Sequence, residues 1–215
     1  MKNILIIILA LLLAASIIAG LFSYFAYKNM NQALHECVKK ASEEGKRVAQ
    51  LSETQTKQMK STYEGLLSGL KEQIEKEEVT LKNFQEALSI TFVDRILFDF
   101  GKATLTPQGR KILERVGELM KNVTGKRIRV TGHTDNIPIA PDFQFKFPTN
   151  WELSAARAAS VVRYFQEKAG LDPQEMETVG RSFYQPIASN ETKEGRAQNR
   201  RVEIFIAPQI EIKGK

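Results

Sequence analysis

Cysteine is nearly absent: Cys37 is the only one in 215 residues, so no internal disulfide framework can brace the chain. Two histidines, His35 and His133, with that single thiol are too few for a zinc site of the usual kind, and neither a metal nor another cofactor is expected. Charge is missing altogether from residues 4–27, and proline from residues 28–88. No aromatic stripe interleaves with basic residues. Lys126, Arg127 and Arg129 flank a single strand, so the net charge of +6 does not amount to a nucleic-acid surface. Scattered positive charge fits attraction to an anionic polymer or a membrane surface equally well. The segment TGK at 124–126 lacks the glycine run of a phosphate loop.

The uncharged run, ILIIILALLLAASIIAGLFSYFAY, would reach ~36 Å as a helix, enough to cross a ~30 Å hydrocarbon core. Phe22, Tyr24, Phe25 and Tyr27 crowd its C-terminal end, where aromatic side chains favour the membrane–water boundary. A cleaved signal peptide is the competing reading. The run exceeds the usual apolar region of such peptides and has no clean A-x-A site. Residues 1–28 are therefore read as a transmembrane anchor. Residues 29–88, rich in Lys, Glu, Gln, Ala and Leu, favour helix. Met30, Leu34, Cys37, Ala41, Val48 and Leu51 follow a 3–4 spacing, and Met59, Tyr63, Leu66, Leu70 and Ile74 form a second apolar set. The polar stretch TQTKQ interrupts the register. A helical stalk is expected, either a short coiled coil that would pair two copies of the chain or a solvated single helix.

From residue 89 the pattern turns globular. SITFVDRILFDF (89–100) predicts a strand, RIRVTGHT (127–134) a half-buried one, and METVGRS (176–182) and RVEIFIA (201–207) two more. Thr106 as N-cap and Pro107 at the first position open a helix reaching about Asn122. A second helix is expected over 150–169, with Thr149 or Asn150 as its cap and Gly170 past its end. The expected class is α+β, a β-α-β-α-β-β mixed sheet with helices packed on it, filling residues 89–208 and leaving 209–215 as a tail.

Two charged residues stand apart. Asp135 lies just past the C-terminal end of the 127–134 strand, where ligands often bind in such sheets. Arg157 falls on the second helix at the margin of its apolar stripe, between core and water. Converging, they could face one zwitterion, Asp135 taking an ammonium and Arg157 a carboxylate in a bidentate fork. From periodicity alone, the alternative is a turn-capping Asp135 and a solvated Arg157. A His133, Asp135 and Ser154 triad lacks a nucleophile elbow and is not favoured. Trp151 is expected to pack at the helix start, and Phe143, Phe145 and Phe147 either to pack down their connector or to face a partner.

Three blocks, GHTDN, NWELSAARA and GRSFYQPIASNETKEGRAQNRRVEI, together with ILFDFGKATLTPQGRKIL, resemble the C-terminal domains of the OmpA/MotB type, the peptidoglycan-associating modules of bacterial envelopes. The likeness covers roughly residues 90–207. The long connector NIPIAPDFQFKFPTN places it nearest the MotB-like branch. The resemblance implies that Asp135 and Arg157 grip the diaminopimelate of the peptidoglycan stem peptide, with Thr134, Asn136, Asn150 and Leu153 lining the same groove. It also implies that Arg200 or Arg201 reaches the stem carboxylate or the glycan, against a competing role in tethering the sheet edge and loop. Asn199 is expected to tie down the 188–198 loop.

The function implied is a non-catalytic tether, with the cytoplasmic membrane held through residues 4–27, a single pass, and the C-terminal domain on peptidoglycan in the periplasm. A cleaved, periplasmic or outer-membrane-associated form is the alternative location. A MotB-like stator subunit is the alternative function. Residues 4–27 lack the acidic side chain that an ion-conducting span would carry. A wall hydrolase is disfavoured because no catalytic set can be assembled.

Overall fold

A computed structural model describes residues 2–84 and 87–209; the expected tail lies almost wholly outside them. Contacts divide the chain into two compact units, residues 1–52 and 53–215. Helix α1 (Lys2–Gly69) runs through both. Within the first unit the described apolar side chains from Ile4 to Phe25 are exposed, as are Met30, Leu34, Val38, Val48 and Leu51. Among the described residues α1 is the one helix long and apolar enough to cross a membrane.

The second unit is a mixed α+β domain. After α1 come α2 (Lys71–Glu75), β1 (Val79–Phe84), β2 (Ala87–Val93), α3 (Asp94–Leu97), α4 (Pro107–Met120), β3 (Lys126–His133), α5 (Pro141–Gln144), α6 (Asn150–Tyr164), β4 (Met176–Gly180), α7 (Lys193–Asn199) and β5 (Arg201–Pro208). The strands form one sheet in the order β1-β2-β5-β3-β4; only the β3–β4 pair is parallel. Strand alternation puts Leu88, Ile90 and Phe92 of β2, Ile128 and Val130 of β3, and Val202, Ile204 and Ile206 of β5 into one core. Helix α4 contributes Ile112, Leu113, Val116 and Met120, and α6 contributes Ala158 and Val161.

Local signals set the helix starts. The Thr106 hydroxyl accepts from Gly109 N, with Pro107 behind it. Thr149 caps α6 in a capping box: its hydroxyl accepts from Trp151 N at 3.1 Å, and its own N–H donates to Glu152 Oε2 at 2.8 Å. The helix continues past Tyr164 as a π-turn, Phe165–Ala169, and stops at Gly170, whose φ of 63° is left-handed.

Three expectations are corrected. The strand predicted over 89–100 ends at Val93, because Asp94 starts a helical turn; Phe98 then only bridges to Leu105. The helix-rich composition up to residue 88 gives way to β1, whose pairing with β2 from Val79↔Phe92 to Phe84↔Ala87 overrides local helix propensity. The second apolar set of the expected stalk faces the domain. Met59, Leu66 and Leu70 are buried in its core, so the compact unit starts at Glu53, well before residue 89. The 188–198 loop, finally, contains α7, capped by the Thr192 hydroxyl accepting from Gly195 N.

Candidate functional site

Sheet register assembles the site. Arg201 opens the central strand β5 and lies opposite Val93 of β2 on one side and His133 of β3 on the other. The residues just outside this row therefore meet at one end of the sheet: Asp94 after β2, Arg200 before β5, and Thr134 and Asp135 after β3. Asp94 N donates to Arg200 O at 3.0 Å, fixing the first two together. Helix α6 comes in against β3 at Gly132, where a Cβ would run into the Ser154 carbonyl. One helical turn on from Ser154 sits Arg157.

These residues line a cleft of about 330 Å³, which is within the usual size of small-ligand pockets. Two ion pairs cross it. Arg200 Nη1 donates to Asp135 Oδ2 at 2.5 Å, and Arg157 Nη2 lies 3.0 Å from Asp94 Oδ2. Asp135 Oδ1 also accepts from Ile137 N at 3.1 Å, which shapes the loop. Asn150, at the start of α6, donates from Nδ2 to Ile137 O at 2.9 Å and to Asp135 O at 3.4 Å. Arg157 Nε donates to Lys102 O at 2.9 Å, and its guanidinium lies 5.3 Å from the Phe98 ring centre. Leu153 adds an apolar wall, as do Phe100 and Phe143.

The expectation for Arg157 is corrected in its setting. It is 3% exposed, not marginal, and its first carboxylate partner is Asp94. Burial lowers its pKa and Asp94 opposes this shift. Asp94 is itself pushed up to about 6, mainly by burial, against the pull of Arg157 and then Arg200.

Of the eight residues expected in the groove, the cleft gathers Thr134, Asp135, Asn150, Leu153, Arg157 and Arg200. Asn136 is exposed outside its lining. Arg201 is also outside it, buried instead as a tether: Nε meets Glu203 Oε1 at 2.6 Å, while Nη1 and Nη2 donate to Asn199 O and Gln185 O. Of the two neighbouring arginines, Arg200 lines the cleft and Arg201 does not, because successive residues entering a strand point to opposite sides. Asn199 ties its loop down through Ile187 N, Ala188 N and Ala188 O.

Sequence reasoning missed Asp94, Lys193 and Arg196. An aspartate amid apolar residues was the available signal for Asp94: it contradicts a continuous buried strand. The connector aromatics separate. Phe143 lies over Gly101 in the cleft wall, Phe147 packs with Ala103 and Leu153, and Phe145 is exposed. Trp151 is half exposed and stacks on Tyr184, with ring centres 5.4 Å apart. His133 is buried, and neither ring nitrogen has a hydrogen-bond partner among the described residues. The Ser154 hydroxyl donates to Trp151 O and accepts from Ser182 N, so it is engaged in holding α6 and the 182 turn.

The five-stranded sheet with its charged cleft is a mixed α+β domain, and the helix that leads into it begins with an uncharged apolar run. The chain carries an OmpA-like domain: the model of the OmpA family matches residues 97–200. It is 36% identical over 150 residues to Motility protein B of Bacillus subtilis, covering 66% of this chain and 56% of that protein. It is 36% identical over 124 residues to the Peptidoglycan-binding protein ArfA of Mycobacterium tuberculosis, covering 58% of this chain and 36% of the relative. The chain thus spans little more than half of the first relative and about a third of the second. A solved structure of the cell wall anchor of the T6SS from Pseudomonas aeruginosa is 34% identical, with a TM-score of 0.61, covering 66% of this chain and 96% of that one. Neither the family nor these relatives are named for a catalytic activity.

Proposed function

We propose that this chain is a non-catalytic envelope tether: residues 4–27 span the cytoplasmic membrane once, and the domain from residue 53 binds peptidoglycan noncovalently in the periplasm. The ligand is the diaminopimelate of the stem peptide, taken in the cleft that Asp135 and Arg157 share. The observation that carries this reading is the cleft itself, where the carboxylates of Asp94 and Asp135 and the guanidiniums of Arg157, Arg196 and Arg200 line one opening. The side-chain end of diaminopimelate offers one ammonium and one carboxylate, a match for both signs. Support also comes from a relative named as peptidoglycan-binding and from a structural neighbour described as a cell wall anchor. The described apolar side chains of residues 4–27 are exposed, and they are those that a bilayer would cover.

The test is sedimentation of the full chain with purified sacculi. The wild type should pellet with diaminopimelate-type sacculi, and Asp135→Ala and Arg157→Ala should each lose most of that binding. Removing one partner of a desolvated charged contact costs about 2–5 kcal/mol. Lysine-type sacculi, lacking the second carboxylate, should bind weakly. Full retention by both variants would reject the site.

Similarity to Motility protein B favours one second reading, a stator-like subunit. The span from residue 4 to 27 has no acidic side chain to carry an ion, so conduction through it is not part of the proposal. A current abolished by substitutions within that span would reverse this ranking.

A further inference from the structure

Arg157 reaches the cleft with much of its guanidinium already committed. Of the five N–H protons an arginine carries, Nε gives one to Lys102 O, and Nη2 lies 3.0 Å from Asp94 Oδ2 in an ion pair. Nη1 makes no hydrogen bond to any described residue. The Phe98 ring, 5.3 Å from the guanidinium carbon, limits movement out of this plane. Three points of restraint thus leave one edge free, and Arg157 lines the opening.

Asp94 is an unusual partner if its only task is to brace the fold. It is buried, and Oδ1 has no hydrogen-bond partner among the described residues. A buried carboxylate with one oxygen unsatisfied is a poor stabiliser, since desolvation is offset on one side only. Thr134 Oγ1, in the same cleft wall, is likewise buried and without a partner. Two buried atoms without a partner among the described residues thus belong to side chains of the cleft wall, and each such atom calls for an explanation beyond stability.

We propose that Asp94 is a positioning residue of the cleft: together with the Lys102 carbonyl it fixes the Arg157 guanidinium so that the Nη1 edge is the one offered to a ligand carboxylate. The inference rests on the reading of this cleft as the stem-peptide site, and it names the atom that meets the ligand. It also alters the recognition geometry. The Nε side of Arg157 is occupied by the protein and Nη2 faces Asp94, so the carboxylate is taken end-on, at Nη1. The charged groups around Asp94 are Arg157 on α6, Arg200 before β5, Asp135 after β3 and Arg95 on its own turn. Burial raises the Asp94 carboxyl to about 6, so its ionisation governs how firmly Arg157 is held as pH falls.

The experiment is calorimetric titration of the full chain, in detergent, with a diaminopimelate-containing tripeptide. Wild type and Asp94→Asn are compared from about pH 7.5 down to about pH 5. Wild-type affinity should weaken as pH falls through the titration of Asp94. Asp94→Asn, with a native circular dichroism spectrum, should bind roughly tenfold or more weakly at the upper pH and show little further dependence. A merely structural Asp94 would leave the shape of the pH profile unchanged. Binding by Asp94→Asn with the wild-type affinity and profile overturns this inference alone. Should that variant not fold, the wild-type profile decides: a flat one overturns the proposal. No binding by wild type at any pH overturns the reading of the cleft and this inference with it.

Discussion

Asp94 and His133 titrate in opposite senses inside one domain. The folded chain raises Asp94 to about 6, so it binds that proton more tightly than the unfolded chain does. Its contribution to stability is complete below the unfolded value of 3.8 and is lost as pH rises through about 6. A shift of that size corresponds to about 3 kcal/mol. His133 is lowered to about 4, chiefly by burial and then by Arg201, with Glu203 opposing. Its contribution is complete above 6.5 and is lost as pH falls through about 4. The two slopes oppose each other across the same interval, so the wild-type melting temperature should vary little there. Asp94→Asn removes one slope, and its melting temperature should climb by several degrees from about pH 4 to about pH 6.5. His133→Asn should show the reverse trend. Thermal melts across that range check both, and parallel profiles for all three proteins would contradict the assignment. Neither group was identifiable as perturbed from sequence. The shifts arise from burial and from arginines distant along the chain, and Asp94 was concealed by the strand expected around it.

At the scale of elements, the same signals succeed or fail according to whether the information is local. Thr106-Pro107, the Thr149 capping box and Gly170 are short-range chemistry, and α4 and α6 start or stop where those residues predict. Alternation located β3 and β5 for the same reason. The boundary at residue 89 failed because composition cannot say which way a helical apolar stripe faces. Met59, Leu66 and Leu70 read equally well as a coiled-coil seam and as a core-facing side, and tertiary packing chose the second. β1 was missed because its partner strand, not its own residues, makes it a strand. A measurable consequence follows. A chain beginning at residue 53 should fold cooperatively, whereas one beginning at residue 89 discards β1, the start of β2 and the core side chains Met59, Leu66, Leu70 and Leu88. Each such loss costs about 2–5 kcal/mol, against a total stability of about 5–15 kcal/mol. Urea unfolding should give a sharp transition for the longer chain and a broad or absent one for the shorter. Equal midpoints would show that residues 53–88 are dispensable to the core.

For the whole molecule, tethering requires two attachments of different physical kinds in one chain, and each should fail separately. Insertion of residues 4–27 depends on apolar transfer from water, which salt hardly weakens. The cleft depends on charge, yet its ion pairs are largely buried, so screening should weaken it less than it weakens exposed contacts. The scattered positive charge of +6 adds an exposed attraction to anionic wall polymers that salt should remove first. Removing residues 1–52 should therefore shift the protein out of the membrane fraction while leaving its affinity for a diaminopimelate tripeptide unchanged. Asp135→Ala in the full chain should do the opposite, remaining in membranes at any ionic strength but keeping only nonspecific pelleting with sacculi. Raising salt from about 0.1 M to about 1 M, where the screening length falls from about 10 Å to about 3 Å, should reduce nonspecific pelleting of both forms and spare most of the tripeptide affinity. If salt alone abolished tripeptide binding, the contact would belong to the exposed surface charge, and the buried pairs of the cleft would have no part in holding the wall.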